Sequence, residues 1–315
     1  MNLTKVAWYW SEECLAHDTG PGHPESAHRY RVLGEALKKA VGANEDNLLA
    51  GREITREELS RCHGARYLDS VSEDVASKAR QLRTGDTNIS KDSERVAKIA
   101  AGAALDAVDR VMKGDFKRAF VATRPPGHHA TPDRGMGFCV YNTVALMARH
   151  AMAVHHCKKV LIVDWDVHHG NGTQDCFYSD PNVFFFSSHQ QGIYPGTGDA
   201  DETGEGEGKG TTMNLPLPAG TGIKPILAAI EGPLTKAMED FKPDLVLISA
   251  GFDSRVDDPL GDFVLTDDDF ATLTRALKII ADRWAKGRVI STLEGGYNPE
   301  GLASAAVAHF LALAD

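Results

Sequence analysis

The sequence predicts an α/β fold: a central, mostly parallel sheet with helices on both faces. Three observations lead there. Short β-branched runs alternate with helical stretches along the whole chain. The runs are continuously apolar, as in strands buried on both faces. Three of them end in polar, chemistry-bearing residues: 159–163 leads into Asp164-Trp-Asp166-Val-His168-His169-Gly170, 244–249 into Ala-Gly-Phe-Asp253, and 119–123 into Arg124-Pro-Pro-Gly-His128-His129. Open α/β sheets bind ligands just beyond the carboxyl ends of their strands, so these segments are expected to meet at one sheet edge.

In chain order, Val6–Trp10 reads as a first strand and Pro24–Leu37 as a helix. Ser90–Met112 is Ala-rich, with Val96, Ile99, Ala103, Val108 and Val111 roughly on one helical face. The 119–123 strand, a helix near Tyr141–His155, the 159–164 strand and the strand 183–188 follow. A further strand is expected at Thr211–Leu217, then helix 225–241, strand 244–249, helix 267–285, strand Arg288–Leu293 and a last helix near Pro299–Ala314. With no repeat and no linker, residues 1–315 are expected to form one domain.

Composition narrows the function classes. Lys and Arg number 34 against 44 Asp and Glu, giving a net charge of −10. That disfavours broad electrostatic binding to nucleic acid. No apolar run approaches the ~20 residues of a membrane span, and Met1–Trp10 lacks a leader's pattern of charged residues followed by an apolar run. The five cysteines are odd in number and unclustered in sequence, without a Cys-x-x-Cys pair. Neither a disulfide framework nor a thiolate metal site is indicated, and a reducing, cytoplasmic setting is expected. The Gly-rich 203–210 segment carries Glu205 and Glu207 and the wrong spacing for a phosphate loop, so it reads as a surface connection. Asp267-Asp268-Asp269 follows Thr266 and reads as the first turn of a capped helix. The doublet His155-His156 reads as surface, because no acidic partner lies nearby in sequence.

At the strand ends, residues two apart face one side, so Asp164, Asp166 and His168 are expected to share a face if the extended backbone persists. Asp166, His168 and Asp253 supply carboxylate oxygens and an imidazole nitrogen, which suit zinc; three protein ligands leave an open position, as in catalytic sites. His128-His129, after a rigid turn, is either a further pair of ligands or an acid/base pair. Asp164 suits the carboxylate that orients a histidine. A fourth strand ends in Glu294-Gly-Gly-Tyr297, where the tyrosine hydroxyl either stabilises an oxyanion or simply packs over the sheet.

The motifs 124–129, Gly-Phe-Cys-Val-Tyr-Asn (137–142), 164–174, Tyr-Pro-Gly-Thr-Gly (194–198), 250–253 and 294–297 occur in the order seen in zinc-dependent histone deacetylases. The chain resembles the class II-like and bacterial members, which include acetylpolyamine amidohydrolases, from about Gly22 to its C-terminus. The resemblance implies an arginase/deacetylase-like three-layer fold and one Zn²⁺ held by Asp166, His168 and Asp253. It implies that His128 and His129 handle protons, that Tyr297 stabilises the oxyanion, and that Asp164 and Asn171 stand behind the two histidines. Because Asn171 replaces a carboxylate found in class I members, His129 is expected to be less basic. Gly137, Phe138 and Tyr194 match the walls of an acyl-lysine channel, and Arg29 matches a residue of the interior acetate-exit region. Asp164, Asp166, His168 and Ser187 match one potassium site, and Phe177, Asp180 and Val183 a second.

The implied reaction is hydrolysis of an acyl group from lysine side chains of proteins or peptides. Leu260 stands where polyamine-selective relatives carry an acidic residue, which favours acyl-lysine over a cationic acetylpolyamine. A non-catalytic acyl-lysine-binding module is the alternative from another class. A ureohydrolase needs more metal ligands than these motifs supply. Neither a nucleic acid nor a membrane is implied as partner; a homo-oligomer is compatible with the sequence.

Overall fold

The computed structural model describes residues 6–41 and 47–315. Residues 1–5, part of the stretch read for a leader, lie outside the described residues. In chain order the elements are β1 (Val6–Tyr9), α1 (Ala27–Val41), β2 (Leu48–Leu49), α2 (Arg56–Leu59), α3 (Ala65–Ala76), α4 (Ser93–Lys113), β3 (Arg118–Val121), α5 (Thr143–His155), β4 (Val160–Asp164) and α6 (Asn171–Phe177). Then come β5 (Val183–Gln190), β6 (Thr212–Leu217), α7 (Ile223–Ala229), α8 (Thr235–Phe241), β7 (Leu245–Ala250), α9 (Asp267–Trp284), β8 (Val289–Leu293) and α10 (Pro299–Ala314).

The strands form one eight-stranded sheet in the order β2-β1-β3-β8-β7-β4-β5-β6, and every pairing is parallel. Alternate side chains of each strand feed opposite layers, as a period of two requires. Leu161, Val163, Val246 and Ile248 join the layer containing Leu33 of α1, Leu277 of α9 and Phe310 of α10. Val160, Ile162, Leu245 and Leu247 join the layer containing Ala107 of α4 and Met147 of α5. The expected three-layer α/β fold is therefore observed. The four strands whose ends carry the polar motifs, β3, β8, β7 and β4, are neighbours at the centre of the sheet.

Two elements differ from expectation for local reasons. The helix expected over 225–241 is broken: residues Ile230–Leu234 form a π turn containing Pro233, which cannot donate a backbone hydrogen bond. The expected Pro24–Leu37 helix starts later, at Ala27, and runs to Val41. The acidic tract at 267 behaves as expected, since Thr266 and Asp269 form a reciprocal capping box.

Candidate active site

β4 ends at Asp164, and the chain bends through residues 166–168 instead of continuing extended. The expected shared face of Asp164, Asp166 and His168 therefore fails beyond the strand. Asp164 turns to the histidine pair, while the bend brings Asp166 and His168 together. His168 Nδ1 lies 3.0 Å from Asp166 Oδ1 and 3.1 Å from Asp253 Oδ2. One donor atom from each of the three residues lies within 4.8 Å of the others. Both carboxylates are fully buried, and each is oriented by a backbone N–H from another strand end. Gly295 donates to Asp166 Oδ2 at 2.9 Å, and Val167 donates to Asp253 Oδ1 at 3.0 Å.

The glycines of Glu294-Gly-Gly-Tyr297 have separate reasons. Gly296 has φ +124, which disfavours a side chain. Gly295 is required by proximity: a Cβ there would lie 2.7 Å from Asp166 Oδ2 and 2.7 Å from Asp253 Cγ. Gly251 faces Asp166 in the same way, with a Cβ 2.5 Å from the Asp166 Cβ. Two buried carboxylates and an imidazole so closely packed suit a divalent ion, because buried charge needs a counter-charge or a metal. The electrostatics agree. Burial and the neighbouring Asp166 push Asp253 up to about 7. Burial opposes charge on His168, but hydrogen bonds to Asp166 and Asp253 raise it to about 10.

The histidine pair stands beside this cluster, with ring centroids 4.0 Å apart. His128 Nδ1 meets Asp164 Oδ2 at 2.9 Å. His129 Nδ1 meets Asn171 Oδ1 at 2.8 Å, and a carbonyl oxygen only accepts, so Nδ1 carries the proton and Nε2 is left with its lone pair. The two rings differ in basicity. For His128, burial opposes protonation, but Asp164 and Asp166 outweigh it and raise the ring well above the ordinary range. For His129, burial, then His128 and His168, push it well below, and Asn171 adds no charge to resist them.

A cavity of about 310 Å³ opens onto His129 and His168; Gly137, Phe138, Tyr194, Leu260 and Tyr297 also line it. Phe138 holds a φ of +68, a left-handed conformation costly for a residue with a side chain, directly after Gly137 at +56, which glycine adopts freely. Tyr194 and Leu260 are exposed at the mouth, and the Phe138 and Tyr297 rings meet edge-on at 5.9 Å. All four expected channel residues thus reach one cavity.

Several residues of this neighbourhood were missed in the sequence. Asp86 lines the mouth and accepts from Gly137 N at 2.8 Å. Glu294 Oε2 accepts from the backbone N–H groups of Gly127 and His128 at 2.6 and 3.0 Å, fixing the turn that carries the histidines. Burial, with Asp164 adding to it, pushes Glu294 up to about 7. Asp258 accepts from Tyr297 N at 2.6 Å and from Leu260 N at 3.0 Å, tying the mouth to the tyrosine turn. For Asp86 and Asp258 only acidic character was visible in the sequence, and many surface acids share it; Glu294 was visible as a strand end, but not its hold on the histidine turn.

Arg29 is buried behind the site. It donates to the carbonyls of Glu294 and Gly296 at 3.2 and 3.0 Å and lies 5.2 Å from the Tyr297 ring. Glu25 accounts for its charge at 3.3 Å and forms a two-pronged pair with Arg124 at 2.7 and 2.6 Å. Of the residues matched to potassium sites, Asp164 pairs with Ser187 in the sheet register. Phe177, Asp180 and Val183 lie together between α6 and β5, where Asp180 binds Arg149 at 2.6 Å. The reading of His155 as a partnerless surface residue is corrected: its Nε2 lies 2.6 Å from Asp109 Oδ1, with His150 on the same oxygen at 2.8 Å. Asp109 sits on α4, 46 positions earlier, which local sequence could not reveal.

Comparison with known proteins settles the family. The family model described as "Histone deacetylase domain" matches residues 23–313. The chain belongs to the histone deacetylase family. It is 39% identical to "Histone deacetylase 14, chloroplastic" of Arabidopsis thaliana, over 97% of this chain and 76% of that protein. It is 34% identical to a "Histone deacetylase-like amidohydrolase" of Pseudomonas aeruginosa, over 93% of this chain and 82% of the relative. Among solved structures, the HDA15 HD domain superposes with a TM-score of 0.92 at 36% identity, covering 99% of this chain and 88% of that one. This histone deacetylase family member thus has deacetylase and amidohydrolase relatives, and its candidate metal cluster lies at the centre of the sheet's carboxyl edge. No helix among the described residues is long and apolar enough to cross a membrane.

Proposed function

We propose that this chain is a zinc-dependent amidohydrolase that removes acetyl or other acyl groups from lysine side chains of proteins or peptides. The observation that carries the reading is the meeting of Asp166, His168 and Asp253 at a cavity that also exposes His129 and Tyr297. Zn²⁺ is the ion proposed for these three residues; bound there, it supplies Lewis-acid polarisation of a carbonyl and acidifies water.

The chain's own residues do the rest. Phe138 and Tyr194 pack on the methylene stem of the substrate and hold the amide at the cavity floor. The Nε2 lone pair of His129 accepts a proton from the attacking water, a role that suits a ring held neutral. His128, kept charged by Asp164, is the proton source for the leaving amine. The Tyr297 hydroxyl donates to the oxygen that becomes negative. Asp258 and Arg29 fix the backbone on either side of that tyrosine. Potassium at the two groups around Ser187 and Asp180 is proposed as a structural addition, on family resemblance alone.

Leu260 at the mouth presents an apolar surface, which favours a peptide-borne lysine over a free polycation. Asp86 at the same rim is a carboxylate that suits either a peptide N–H or an ammonium group. The test is acetate release from an acetyl-lysine peptide and from an acetylated polyamine, with the protein loaded with Zn²⁺ and after chelation. Faster turnover of the peptide, lost on chelation, is expected. Preference for the polyamine would overturn the substrate assignment. Binding of the peptide without acetate release would overturn the enzymatic one.

A further inference from the structure

Cys62 and Cys176 are 114 positions apart, yet their sulfurs lie 3.2 Å from each other. The sequence reading of five unclustered cysteines therefore does not hold in three dimensions. Cys62 follows α2, and Cys176 lies in α6; both are partly exposed, whereas Cys14, Cys139 and Cys157 are buried. Cys176 opens onto a surface cavity of about 420 Å³ that Arg149, Asp175 and Tyr178 also line. Small oxidants therefore have a route to the Cys176 side of this pair.

The two thiols flank the segments that hold the histidine loop. Cys62 precedes His63, whose Nε2 accepts from Asn142 N at 2.9 Å; its Nδ1 therefore donates to Thr131 O at 3.1 Å, two residues after His129. Cys176 shares the two-turn helix α6 with Asn171, the partner of His129. A bond between the sulfurs would draw them together by about 1 Å, from the contact seen to a normal S–S length near ~2.05 Å, and so pull on these two supports.

We propose that Cys62 and Cys176 form an oxidative modification site, in which a hydroperoxide converts the dithiol to a disulfide that lowers turnover. The thiolate of whichever cysteine meets the oxidant attacks the peroxide oxygen; the O–O bond breaks, and the departing oxygen leaves as water or alcohol. The other sulfur, 3.2 Å away, then attacks the resulting sulfenic acid. The S–S bond forms, the S–O bond breaks, and hydroxide leaves as water with the second thiol's proton. Two thiols lose two electrons and one hydroperoxide gains them. In a reducing compartment such a bond is transient, which suits a sensor better than a structural staple.

The experiment treats the Zn²⁺-loaded chain with hydrogen peroxide, then reads intact mass, a peptide map and turnover before and after a dithiol reductant. The expected result is a loss of ~2 Da with a Cys62–Cys176 cross-linked peptide, a several-fold fall in kcat with KM little changed, and recovery on reduction. Cys62→Ser and Cys176→Ala should each abolish the mass change and resist the loss of turnover. Oxygen adducts on single cysteines, with no cross-link in the wild-type chain, would overturn the site whether or not the variants fold. A cross-link that leaves turnover unchanged would overturn the coupling to His129. The turnover arm rests on the proposed deacylation, whereas the mass and peptide arms stand apart from it, so the two failures are distinguishable.

Discussion

Gly295→Ala tests whether the two buried carboxylates form a metal cluster whose geometry the fourth strand end enforces. The added methyl would lie 2.7 Å from Asp166 Oδ2 and 2.7 Å from Asp253 Cγ, closer than carbon approaches such atoms, and its contact with Asp253 Oδ2 is closer still. Neither carboxylate is free to retreat: Asp166 is held by the N–H of His168 and of Gly295 itself, and Asp253 by Val167 N. The backbone must shift instead, at a cost of ~1–3 kcal/mol for overpacking a filled site. Displaced carboxylates would weaken a bound ion as well; disturbing even the outer partners of metal ligands costs ~10–100-fold in affinity, or ~1.4–2.7 kcal/mol. Zn²⁺ competition against a chromophoric chelator gives the affinity, and urea unfolding gives the stability. A Gly295→Ala chain that binds Zn²⁺ and hydrolyses substrate like the parent would refute the argument.

Asn171→Asp places a carboxylate 2.8 Å from His129 Nδ1 and should raise that ring's pKa, moving the acid limb of the kcat/KM profile up by ~1–3 pH units; an unmoved limb would remove His129 as base. Binding of Zn²⁺ should release protons, because His168 is raised to about 10 and Asp253 to about 7 in the free cluster. Affinity should climb ~10-fold per pH unit for each proton released, steepest below 7, and a titration in weak buffer that shows no acid release would contradict it. Burial pushes His309 down to about 3, so the native ring stays neutral while the unfolded chain takes a proton below the ordinary ~6.5. Stability should therefore fall with acid from about pH 6.5, and His309→Gln should lessen that slope by up to ~1.4 kcal/mol per pH unit, reached below about pH 5.5, in urea unfolding from pH 7 to 4.

The parts of the site that were legible share one property: they sit at the ends of apolar runs. A β-branched run bounded by Gly or Pro announces a buried strand on its own, so the expected strand ends at Asp164, Asp253, Arg124 and Glu294 needed no tertiary knowledge. What the sequence concealed depends on distant partners. Glu25 and Arg124 meet over 99 positions, Asp109 and His155 over 46, and Cys62 and Cys176 over 114; each looks like an ordinary surface residue in its own segment. The convergence of Asp166 and His168 was expected for the wrong geometric reason. Their approach comes from a bend after β4, where the strand period no longer applies.

The strand ends also hold one another. β8's Gly295 N binds β4's Asp166, β4's Val167 N binds β7's Asp253, and β3's Gly127 and His128 N bind β8's Glu294. Every catalytic or ligating carboxylate proposed here thus spends an oxygen on backbone N–H groups, and both metal-site carboxylates take one from a neighbouring loop. That arrangement answers two demands together. Buried carboxylates need hydrogen bonds to tolerate loss of water, and a metal site needs its ligands fixed before the ion arrives. It also explains why the site lies at the centre of the sheet. There each strand end has neighbours on both sides, so that each loop can both give and receive. The same residues on an edge strand would have a support on one side alone.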